Sequence, residues 1–600
     1  MCGIAGIFAY RDSAPPVAGE TLLRMREAMI ARGPDGAGIW LSDDGRVGLA
    51  HRRLAIIDLS EAGAQPMATA DKSIHIVFNG EIYNYRELRC DLEAKGYSFH
   101  SRSDTEVLLY LYQEHGPDLV HYLRGMYAFA IWDQRKRGML LVRDPFGIKP
   151  LYYADDGATL QIASQVKALL KGDGIDTSPE PAGHVGFFLW GHIPEPYTLY
   201  KGIRALPAGS MLWMDASGRR ELKQFFNLAA ELAGAQATAL TISREEMRDR
   251  LRVALLDSVG YHLVADVPAG VFLSAGLDST TIAALAKEAG HGPLHTVTLG
   301  FKQYQGSEDD ETELAELVAR HYGTIHQTRW VTKEDFQRGY PHLLDAMDQP
   351  TIDGVNSYFV SQTAAMAGLK VVLSGMGGDE LFGSYASFQQ IPRMVNLFHP
   401  FCAFPAVGRS FRYISAPVLK HFTSPKYAGL LEYGGSYGGA YLLRKGLFMP
   451  WELPALLDGE MVREGWNELQ TLMRLEETIN GVGNAHAKVT ALETAWYMRN
   501  QLLRDIDWAS MAHSLEIRTP FVDIELFRVV AALLNSSSVP AKADMAKSPK
   551  KSLPAQILSR RKTGFSIPVR EWISGGVALQ GVGRGLRGWG QGLYANWQVQ

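Results

Sequence analysis

The sequence predicts an α/β protein overall, with an α+β first unit and a doubly wound α/β second unit in one chain of 600 residues. This length exceeds what a single hydrophobic core supports, so at least two domains are expected. In the first 210 residues, short apolar runs alternate with Gly, Asn and Asp turns, a pattern typical of strands with a few helices. In the second half, strand-like segments alternate with helical segments. That alternation predicts a doubly wound parallel sheet covered by helices.

The composition is that of an ordinary globular protein. Hydrophobic residues make up 46% of the chain, and 60 basic residues against 64 acidic residues give a formal net charge of −4. This balance argues against a general nucleic-acid binder. The three cysteines, Cys2, Cys90 and Cys402, form neither a disulfide framework nor a CxxC metal motif. No apolar run reaches about 18 residues, and no signal peptide is apparent, so we expect a cytoplasmic enzyme.

The first reactive side chain of the sequence is Cys2, directly after the initiator methionine in MCGIAGIF. Methionine is usually removed when the next residue is small, which would place a thiol and a free α-amine on Cys2. The reference pKa values are about 8.5 for the thiol and about 7.7–8.0 for the amine. The amine can therefore take the proton of the thiol and later return it. A small buried cysteine in a first strand is an equally good interpretation of Cys2 taken alone.

Five motifs follow Cys2 in the first 153 residues. They are ARGPDGAG at 31–38, AHRRLAIID at 50–58, VFNGEIYNY at 77–85, SRSDTEVLL at 101–109 and LLVRDPFGIKPLYY at 140–153. Together with Cys2, these motifs resemble the class II, N-terminal-nucleophile glutamine amidotransferases over residues 1–210. The resemblance implies a four-layer αββα sandwich that hydrolyses the side-chain amide of glutamine.

The same resemblance implies roles in a glutamine site. Asn79 and the backbone N–H of Gly80 match the oxyanion hole, where preorganised donors stabilise the developing charge. Arg53 matches the arginine that clamps the α-carboxylate of glutamine, a task that suits its planar fork. Asp104 matches the carboxylate that receives the α-ammonium, with Glu81 in the same pocket. Backbone groups of Leu54, Ile56 and Ile57 would line this pocket. Singly, these residues also fit a surface arginine, a helix cap and an Asn-Gly turn, but their order along the chain favours the site.

We expect a linker within residues 211–245, between a first domain at 1–210 and a second domain at 246–600. Residues 205–226 are typical of a closing hairpin, and residues 228–241 are rich in alanine. Ser243 is a candidate N-cap of the next helix, and Glu246 would complete a capping box. The Gly-rich end at 575–600 lacks clear periodicity, so we expect poor order there.

Two loops in the second half carry the pattern of a nucleotide site. SAGLDS at 274–279 stands between a strand-like run and a helix, and it resembles the pyrophosphate loop of ATP pyrophosphatases. Its small residues let backbone N–H groups face phosphate oxygens. Asp278 would hold Mg²⁺, because a carboxylate repels phosphate and suits that ion. LSGMGGDE at 373–380 supplies Asp379 as a second Mg²⁺ ligand.

Two further motifs, RDIDWASMAHSLEIRTPFVD at 504–523 and RRKTGFSIP at 560–568, complete a resemblance to the glutamine-hydrolysing asparagine synthetases over nearly the whole chain. That family adenylates a carboxylate with ATP, releases pyrophosphate and amidates the acyl-adenylate with ammonia delivered through an internal tunnel. The residues that this resemblance places at ATP are Phe272, Ser274, Gly276, Asp278, Ser279, Leu299, Ser374, Gly375 and Lys542. Lys547, Lys550 and Lys551 are rival candidates for the lysine that contacts pyrophosphate.

Several positions depart from the family pattern. Ala275 replaces the usual second glycine of the phosphate loop, which requires a negative φ there. On the acceptor side, Met376 and Gln349 stand where glutamates are common, and Trp508 stands where an arginine is common. Trp508 could offer the acceptor a flat apolar face. Aspartate is therefore the first candidate acceptor, and a larger, less charged carboxylate such as a uronic acid sugar is the alternative.

Other enzyme classes fit this sequence less well. An amidotransferase that uses phosphoribosyl pyrophosphate would need a phosphoribosyl site, and a β-lactam synthetase-like enzyme would lack the nucleophile. A non-catalytic scaffold is disfavoured because both sites keep their polar groups. The expected partners are glutamine, ATP and a carboxylate acceptor, with Mg²⁺ as the metal, no nucleic acid and no membrane. The sequence leaves the oligomeric state open, with a homodimer as one candidate.

Overall fold

The strands of the protein form three sheets in the computed structural model, which describes residues 2–236, 241–290, 292–422, 424–560, 572 and 585–599. The strands of the two N-terminal sheets are β1 (Gly3–Ala9), β2 (Gly36–Leu41), β3 (Val47–Arg53), β4 (Met67–Ala68), β5 (Ile74–Ile82), β6 (Gly125–Asp133), β7 (Gly138–Arg143), β8 (Tyr152–Asp155), β9 (Thr159–Ala163), β10 (Ile203–Ala205), β11 (Ser210–Asp215) and β12 (Arg220–Gln224). Those of the third sheet are β13 (Ala269–Phe272), β14 (His295–Phe301), β15 (Ile325–Val331), β16 (Val371–Leu373) and β17 (Glu516–Arg518).

Helices cover all three sheets. The α-helices up to the third sheet are α1 (Gly19–Glu27), α2 (Tyr85–Ala94), α3 (Asp104–His115), α4 (Val166–Leu169), α5 (Pro181–Trp190), α6 (Leu228–Gln236) and α7 (Arg244–His262). The later ones are α8 (Leu277–Glu288), α9 (Thr312–Tyr322), α10 (Lys333–Ala346), α11 (Val355–Met366), α12 (Gly378–Phe382), α13 (Ser387–Phe398), α14 (Pro405–Phe422), α15 (Leu430–Tyr433), α16 (Tyr437–Lys445), α17 (Gly459–Leu469), α18 (Thr471–Glu477), α19 (Ala485–Leu492), α20 (Arg504–Met511), α21 (Ile524–Leu534), α22 (Lys542–Ala546), α23 (Ala555–Leu558) and α24 (Gly585–Val599). A π-helix spans Glu493–Leu503, and short 3₁₀ turns span Ile30–Arg32, Glu61–Gly63, Gly116–His121, Lys302–Tyr304, His399–Ala403, Pro425–Gly429 and Pro450–Ala455.

The N-terminal unit is a sandwich of two antiparallel six-stranded sheets. Their strand orders are β10-β8-β9-β1-β3-β2 and β12-β11-β7-β6-β5-β4. The inner faces meet in a core that includes Ile4, Leu49, Val77, Leu141 and Ile162. Helices α1 and α4 pack on the outer side of the first sheet, and α2 and α3 pack on the outer side of the second. The predicted αββα sandwich is confirmed.

The second sheet reaches beyond residue 210, into the segment predicted as the linker. Strand β11 pairs with β7, and β12 pairs with β11, so both strands belong to the sandwich. Helix α6 follows in the Ala-rich stretch. Ser243 caps α7 by accepting the Glu246 N–H at 3.1 Å, whereas the Glu246 carboxylate pairs with Arg250 at 2.8 Å.

The C-terminal unit contains the predicted parallel sheet, in the order β15-β14-β13-β16-β17. All four strand pairs are parallel. The chain builds β14 and β15 on one side of β13 and then places β16 and β17 on the other. The order therefore reverses between β13 and β16, and ligands of open α/β sheets bind at such a point. The loop of residues 274–279 follows β13, and the loop of residues 373–380 follows β16, so both reach this crevice.

The expectation of poor order at the C-terminal end is wrong for residues 585–599, which form α24. Trp589, Leu593 and Tyr594 are buried on one side of this helix, and that apolar stripe offsets its glycines. The Tyr594 hydroxyl lies 2.6 Å from Nδ1 of His184. In the described part of the chain, no helix has both the length and the apolar character needed to cross a bilayer.

Candidate active sites and the interface between them

Cys2 lies in the sandwich immediately before β1 and is buried. Its backbone N–H donates to Oδ1 of Asn79 at 3.0 Å, and Nε of Arg32 donates to its carbonyl oxygen at 3.0 Å. Burial raises the pKa of the Cys2 thiol, while the charge of the amino terminus and a backbone hydrogen bond from Leu54 oppose this shift. The backbone of Cys2 is thus held from both sides.

The predicted oxyanion donors stand beside this cysteine on β5. Asn79 is fully buried, and its Nδ2 has no hydrogen-bond partner among the described residues. An unpaired buried donor is costly, which is consistent with a site that receives an oxyanion. Gly80 has a φ of +156°, and a Cβ added there would lie 2.1 Å from the carbonyl oxygen of Met126 on β6. Only glycine fits at this position.

The glutamine-site acids lie at the end of β5 and the start of α3. Asp104 is 5% exposed, accepts the Ile82 N–H at 2.9 Å and has its pKa raised to about 6 by burial. Burial also raises the pKa of Glu81, and its nearest cation is Arg518 at 3.4 Å. Arg53 donates to the carbonyl oxygens of Ser60, at 2.7 Å, and of Asp58. The predicted lining residues Leu54, Ile56 and Ile57 are buried in the loop after β3.

The second candidate site is a cavity of about 330 Å³ at the reversal point of the parallel sheet. Nine residues predicted there line it: Phe272, Ser274, Gly276, Asp278, Ser279, Leu299, Ser374, Gly375 and Asp379. The hydroxyl groups of Ser274 and Ser279 lie 2.9 Å apart and close the phosphate loop. Ala275 does not adopt a positive φ, so it meets the backbone requirement of this position. A Cβ on Gly375 would come within 2.8 Å of Cβ of Asp278, so glycine lets the two loops touch.

Lys542 joins the two aspartates of this cavity. Its Nζ lies 2.6 Å from Oδ2 of Asp278 and contacts Oδ1 of Asp379. Of the rival lysines, Lys551 contacts the carbonyl oxygen of His321 instead. A cation between two hard carboxylates shows that the pair favours positive charge, which fits Mg²⁺. Among the residues described, no group of three or more His, Cys, Asp or Glu forms a metal cage, so such an ion would need phosphate or water ligands as well.

The three residues that depart from the family pattern on the acceptor side lie in different places. Met376 lines the cavity, as expected for an acceptor-facing residue. Gln349 is 2% exposed, and its amide has no hydrogen-bond partner within the described ranges. Trp508 does not line the cavity. It is 3% exposed, and its Nε1 donates to Oδ1 of Asp505 at 3.0 Å. Leu502 and Ile506, four residues apart, line the cavity instead.

Two arginine–aspartate pairs join the two units, and the sequence alone did not predict them. Nη1 and Nη2 of Arg32 donate to both carboxylate oxygens of Asp507, at 2.6 and 3.0 Å. Arg124 makes a similar pair with Asp523, at 2.9 and 3.0 Å. Arg32 lies in the motif at 31–38, whereas Arg124 lies outside the quoted N-terminal motifs. Both aspartates lie in the motif at 504–523. The residues of the first pair are 475 positions apart, and no local pattern signals such a contact.

Comparison with known proteins agrees with this two-site geometry. A family model described as "Glutamine amidotransferase domain" matches residues 1–226, and one described as "Asparagine synthase" matches residues 250–585. The chain is 32% identical to asparagine synthetase [glutamine-hydrolyzing] 1 of Bacillus subtilis, over 96% of this chain and 88% of the relative. The chain belongs to the glutamine-hydrolysing asparagine synthetase family.

Other relatives carry related names at similar distance. Asparagine synthetase B of Escherichia coli is 35% identical over 66% of this chain and 67% of its own length. A putative asparagine synthetase of Mycobacterium bovis is 32% identical over 97% of this chain and 89% of its own length. The two segments that the family models match correspond to the sandwich and to the parallel-sheet unit of this chain. Family members use ATP, which agrees with the phosphate loop at 274–279.

Replacement of Gly80 by alanine should destabilise the sandwich, because the new Cβ collides with the Met126 carbonyl of the neighbouring strand. We expect a loss of about 1–3 kcal/mol beyond the backbone strain. Gly96→Ala is the matched control, since Gly96 also has a positive φ, of +94°, but has no atom within 4 Å of an added Cβ. Guanidinium unfolding of both variants measures the difference. Equal losses would show that the close approach to β6 does not matter.

Proposed function

We propose that the protein is a glutamine-dependent asparagine synthetase that takes ammonia from glutamine at Cys2 and amidates aspartate at the ATP-type cavity. The observation that carries this proposal is the presence of two distinct sites in one chain. One is a buried cysteine beside an unpaired amide donor, and the other is a cavity built from two phosphate-type loops. The names of the relatives support the same reaction. Three free cysteines and the use of ATP support a cytoplasmic location.

At the first site, the Cys2 thiolate attacks the side-chain carbonyl of glutamine. A C–S bond forms, and the oxyanion is received by Nδ2 of Asn79 and the Gly80 N–H. The α-amine of Cys2 after methionine removal takes the thiol proton and gives it to the departing nitrogen, so ammonia leaves as the C–N bond breaks. Water then hydrolyses the thioester to glutamate. Asp104 pairs with the substrate ammonium, and Arg53 binds its α-carboxylate.

At the second site, the side-chain carboxylate of aspartate attacks the α-phosphorus of ATP, and pyrophosphate leaves. Backbone N–H groups of residues 274–279 hold the phosphates at the start of α8. Asp278 and Asp379 would hold Mg²⁺, which offsets phosphate charge when bound. Lys542, already at both carboxylates, adds positive charge for the leaving pyrophosphate. Ammonia attacks the acyl carbon, AMP leaves, and the nitrogen loses one proton to give the amide.

Cys2→Ala should abolish glutamine-driven synthesis and leave ammonia-driven synthesis largely intact, because only the first site loses its nucleophile. The measurement is AMP formation with glutamine or with ammonium chloride as nitrogen source. Cys90→Ser is the matched control, since Cys90 is a free, exposed cysteine on α2 and should leave both activities unchanged. Full glutamine-driven turnover in Cys2→Ala would refute the assignment.

The use of glutamine should fall at low pH through Asp104. Burial raises the pKa of Asp104 in the free enzyme to about 6, and only its ionised form can pair with the substrate ammonium. The kcat/KM for glutamine should therefore be half-maximal near pH 6, approach its full value about one pH unit higher and fall about tenfold per pH unit at lower pH. Asp104→Asn should lower kcat/KM at pH 7.5 and remove this acid limb, whereas ammonia-driven synthesis keeps its own pH profile. An unchanged limb in Asp104→Asn would assign the titration to another group.

A different carboxylate acceptor is the second candidate function, and the lining of the ATP-type cavity favours it. Met376 replaces the common acid, and none of the described lining residues is an arginine or lysine that could hold the α-carboxylate of aspartate. Most of the motif at 560–568 lies outside the described residues. The alternative acceptor is a larger, less charged carboxylate, such as a uronic acid sugar.

The kcat/KM for aspartate, measured by pyrophosphate release beside a panel of uronic acids and other carboxylates, distinguishes the two acceptors. A true asparagine synthetase should reach about 10⁴ M⁻¹s⁻¹ or more with aspartate, with no better substrate in the panel. If Met376 marks another acceptor, aspartate should be poorer by about 10²–10⁴-fold, the usual value of one oriented base. Met376→Glu should then improve aspartate amidation. No gain in Met376→Glu would contradict the second candidate.

A further inference from the structure

A second large cavity lies next to the ATP-type cavity and is not part of either site described above. Its volume is about 540 Å³. The walls come from the end of α5, the 3₁₀ turn at 425–429, the end of α16, the π-helix and the start of α24. The residues of these walls take no part in the glutamine hydrolysis or the adenylation proposed for this protein.

The charge of this cavity is positive. The basic residues that line it are Lys426, Arg444, Lys445 and Arg587, and the one acid among the described lining residues is Asp353. Burial raises the pKa of Asp353, which favours its neutral form. The lining therefore contains four basic side chains.

Two of these cations have acidic partners and two do not. Lys445 pairs with Glu493 at 2.9 Å, and Arg587 makes a two-point pair with Glu452 at 2.7 and 3.0 Å. Within the described residues, neither Lys426 nor Arg444 has a carboxylate in ion-pair range. Both donate hydrogen bonds to neutral groups: Lys426 to the Gly446 carbonyl at 2.6 Å, and Arg444 to the Tyr427 hydroxyl at 3.4 Å.

The positive charge around Lys426 affects the pKa of this lysine. Burial, together with the charges of Arg587 and Arg444, lowers the pKa of Lys426 to about 8, against the opposing effect of Glu452. Partly buried cations without a counter-ion are costly, and an anion in the cavity would remove that cost. Nε of Arg444 is also buried with no hydrogen-bond partner in the described part of the chain.

Part of the cavity wall is aromatic. Trp190, Tyr441 and Trp496 are each buried, and the rings of the two tryptophans lie 5.3 Å apart. His192 stands beside them, with an Nε2 that has no hydrogen-bond partner among the described residues. A ligand could stack a flat ring on these aromatic side chains while its anionic group binds Lys426 and Arg444.

The partition between this cavity and the ATP-type cavity is thin. Tyr385 lines the ATP-type cavity and Tyr497 lines the cationic one, with ring centroids 6.0 Å apart. Nζ of Lys445 lies 4.4 Å from the first ring and 3.8 Å from the second. The neighbouring residues Gln501 and Leu502 likewise face one cavity each.

We propose that the cavity between Arg444, Lys426 and Trp496 is a binding site for a ring-bearing phosphate. Such a group can come from either of two sources. It can be the distal part of an extended acceptor whose carboxylate lies in the ATP-type cavity, or it can be a free small-molecule effector. Both sources share the chemistry of a phosphate monoester attached to a flat ring.

Calorimetric titration of the full chain with phenyl phosphate tests the site, without glutamine, ATP or acceptor. Its outcome is therefore independent of the proposed synthetase activity. We expect phenyl phosphate to bind more tightly than inorganic phosphate, and phenol to give no heat. Arg444→Gln and Lys426→Met should each weaken binding by about tenfold or more, because each removes a charge-assisted hydrogen bond. Arg409→Gln, an exposed change on α14, is the matched control and should leave binding unchanged.

Absence of binding to the wild-type chain, or unchanged binding in both cavity variants, would overturn the proposal. Thermal midpoints check folding, and if Arg444→Gln fails to fold, Lys426→Met still decides. Pyrophosphate release then separates the sources. Inhibition by phenyl phosphate that is competitive with the acceptor indicates an acceptor subsite, and a change in kcat without competition indicates an effector site.

Discussion

The buried ion pair between Arg32 and Asp507 is the contact on which the arrangement of the two sites depends. Its side chains are 1% and 5% exposed, and two hydrogen bonds join the guanidinium to both carboxylate oxygens. Taking two charges out of water costs several kcal/mol each, and only good geometry with full hydrogen bonding offsets it. A pair with these requirements tolerates little displacement. The two units are therefore held in one docking geometry rather than connected only through a linker.

This pair also lies between the two centres. On one side, Nε of Arg32 holds the carbonyl of Cys2. On the other side, Asp507 belongs to α20, whose neighbouring residue Ile506 lines the ATP-type cavity. A shift of α20 on acceptor binding would thus reach the backbone of the nucleophile through this one ion pair. The interface is in this sense part of both active sites.

Arg518 and two acids form a second charged group at the interface, where burial and the charge of the arginine act in opposite directions on the pKa values of the acids. Arg518 is fully buried, pairs with Glu516 at 2.6 Å and lies 3.4 Å from Glu81. Burial would raise the pKa of Glu516, but Arg518 holds it below its usual value. For Glu81, burial and the charge of Glu516 prevail over Arg518, and its pKa rises. One arginine therefore keeps one of two neighbouring acids ionised.

Local sequence patterns predicted the parallel sheet and its two phosphate-type loops, because these features depend on residues that are close together in the chain. The alternation of strands and helices identified the parallel sheet, and the loops at 274–279 and 373–380 follow adjacent strands of it. Trp508 was misplaced because it follows Ile506 by two residues on α20, which turns it about 200° around the helix from that cavity-lining side chain. Helix α24 was missed because its apolar stripe is interrupted by glycines. The pair of Arg32 and Asp507 depends on how two folded units dock, which no segment of the chain encodes alone.

The most direct test of this account is a double-mutant cycle on that pair, read as glutamine-driven turnover relative to ammonia-driven turnover. Arg32→Met and Asp507→Asn should each reduce glutamine-driven turnover, since the first removes the arginine that holds the Cys2 carbonyl and the second weakens the contact that positions it. If the two residues act as one unit, the double variant should be no worse than Arg32→Met alone, with a coupling energy of about 1–3 kcal/mol. Losses that simply add, or an Asp507→Asn variant with unchanged glutamine-driven turnover, would contradict the account.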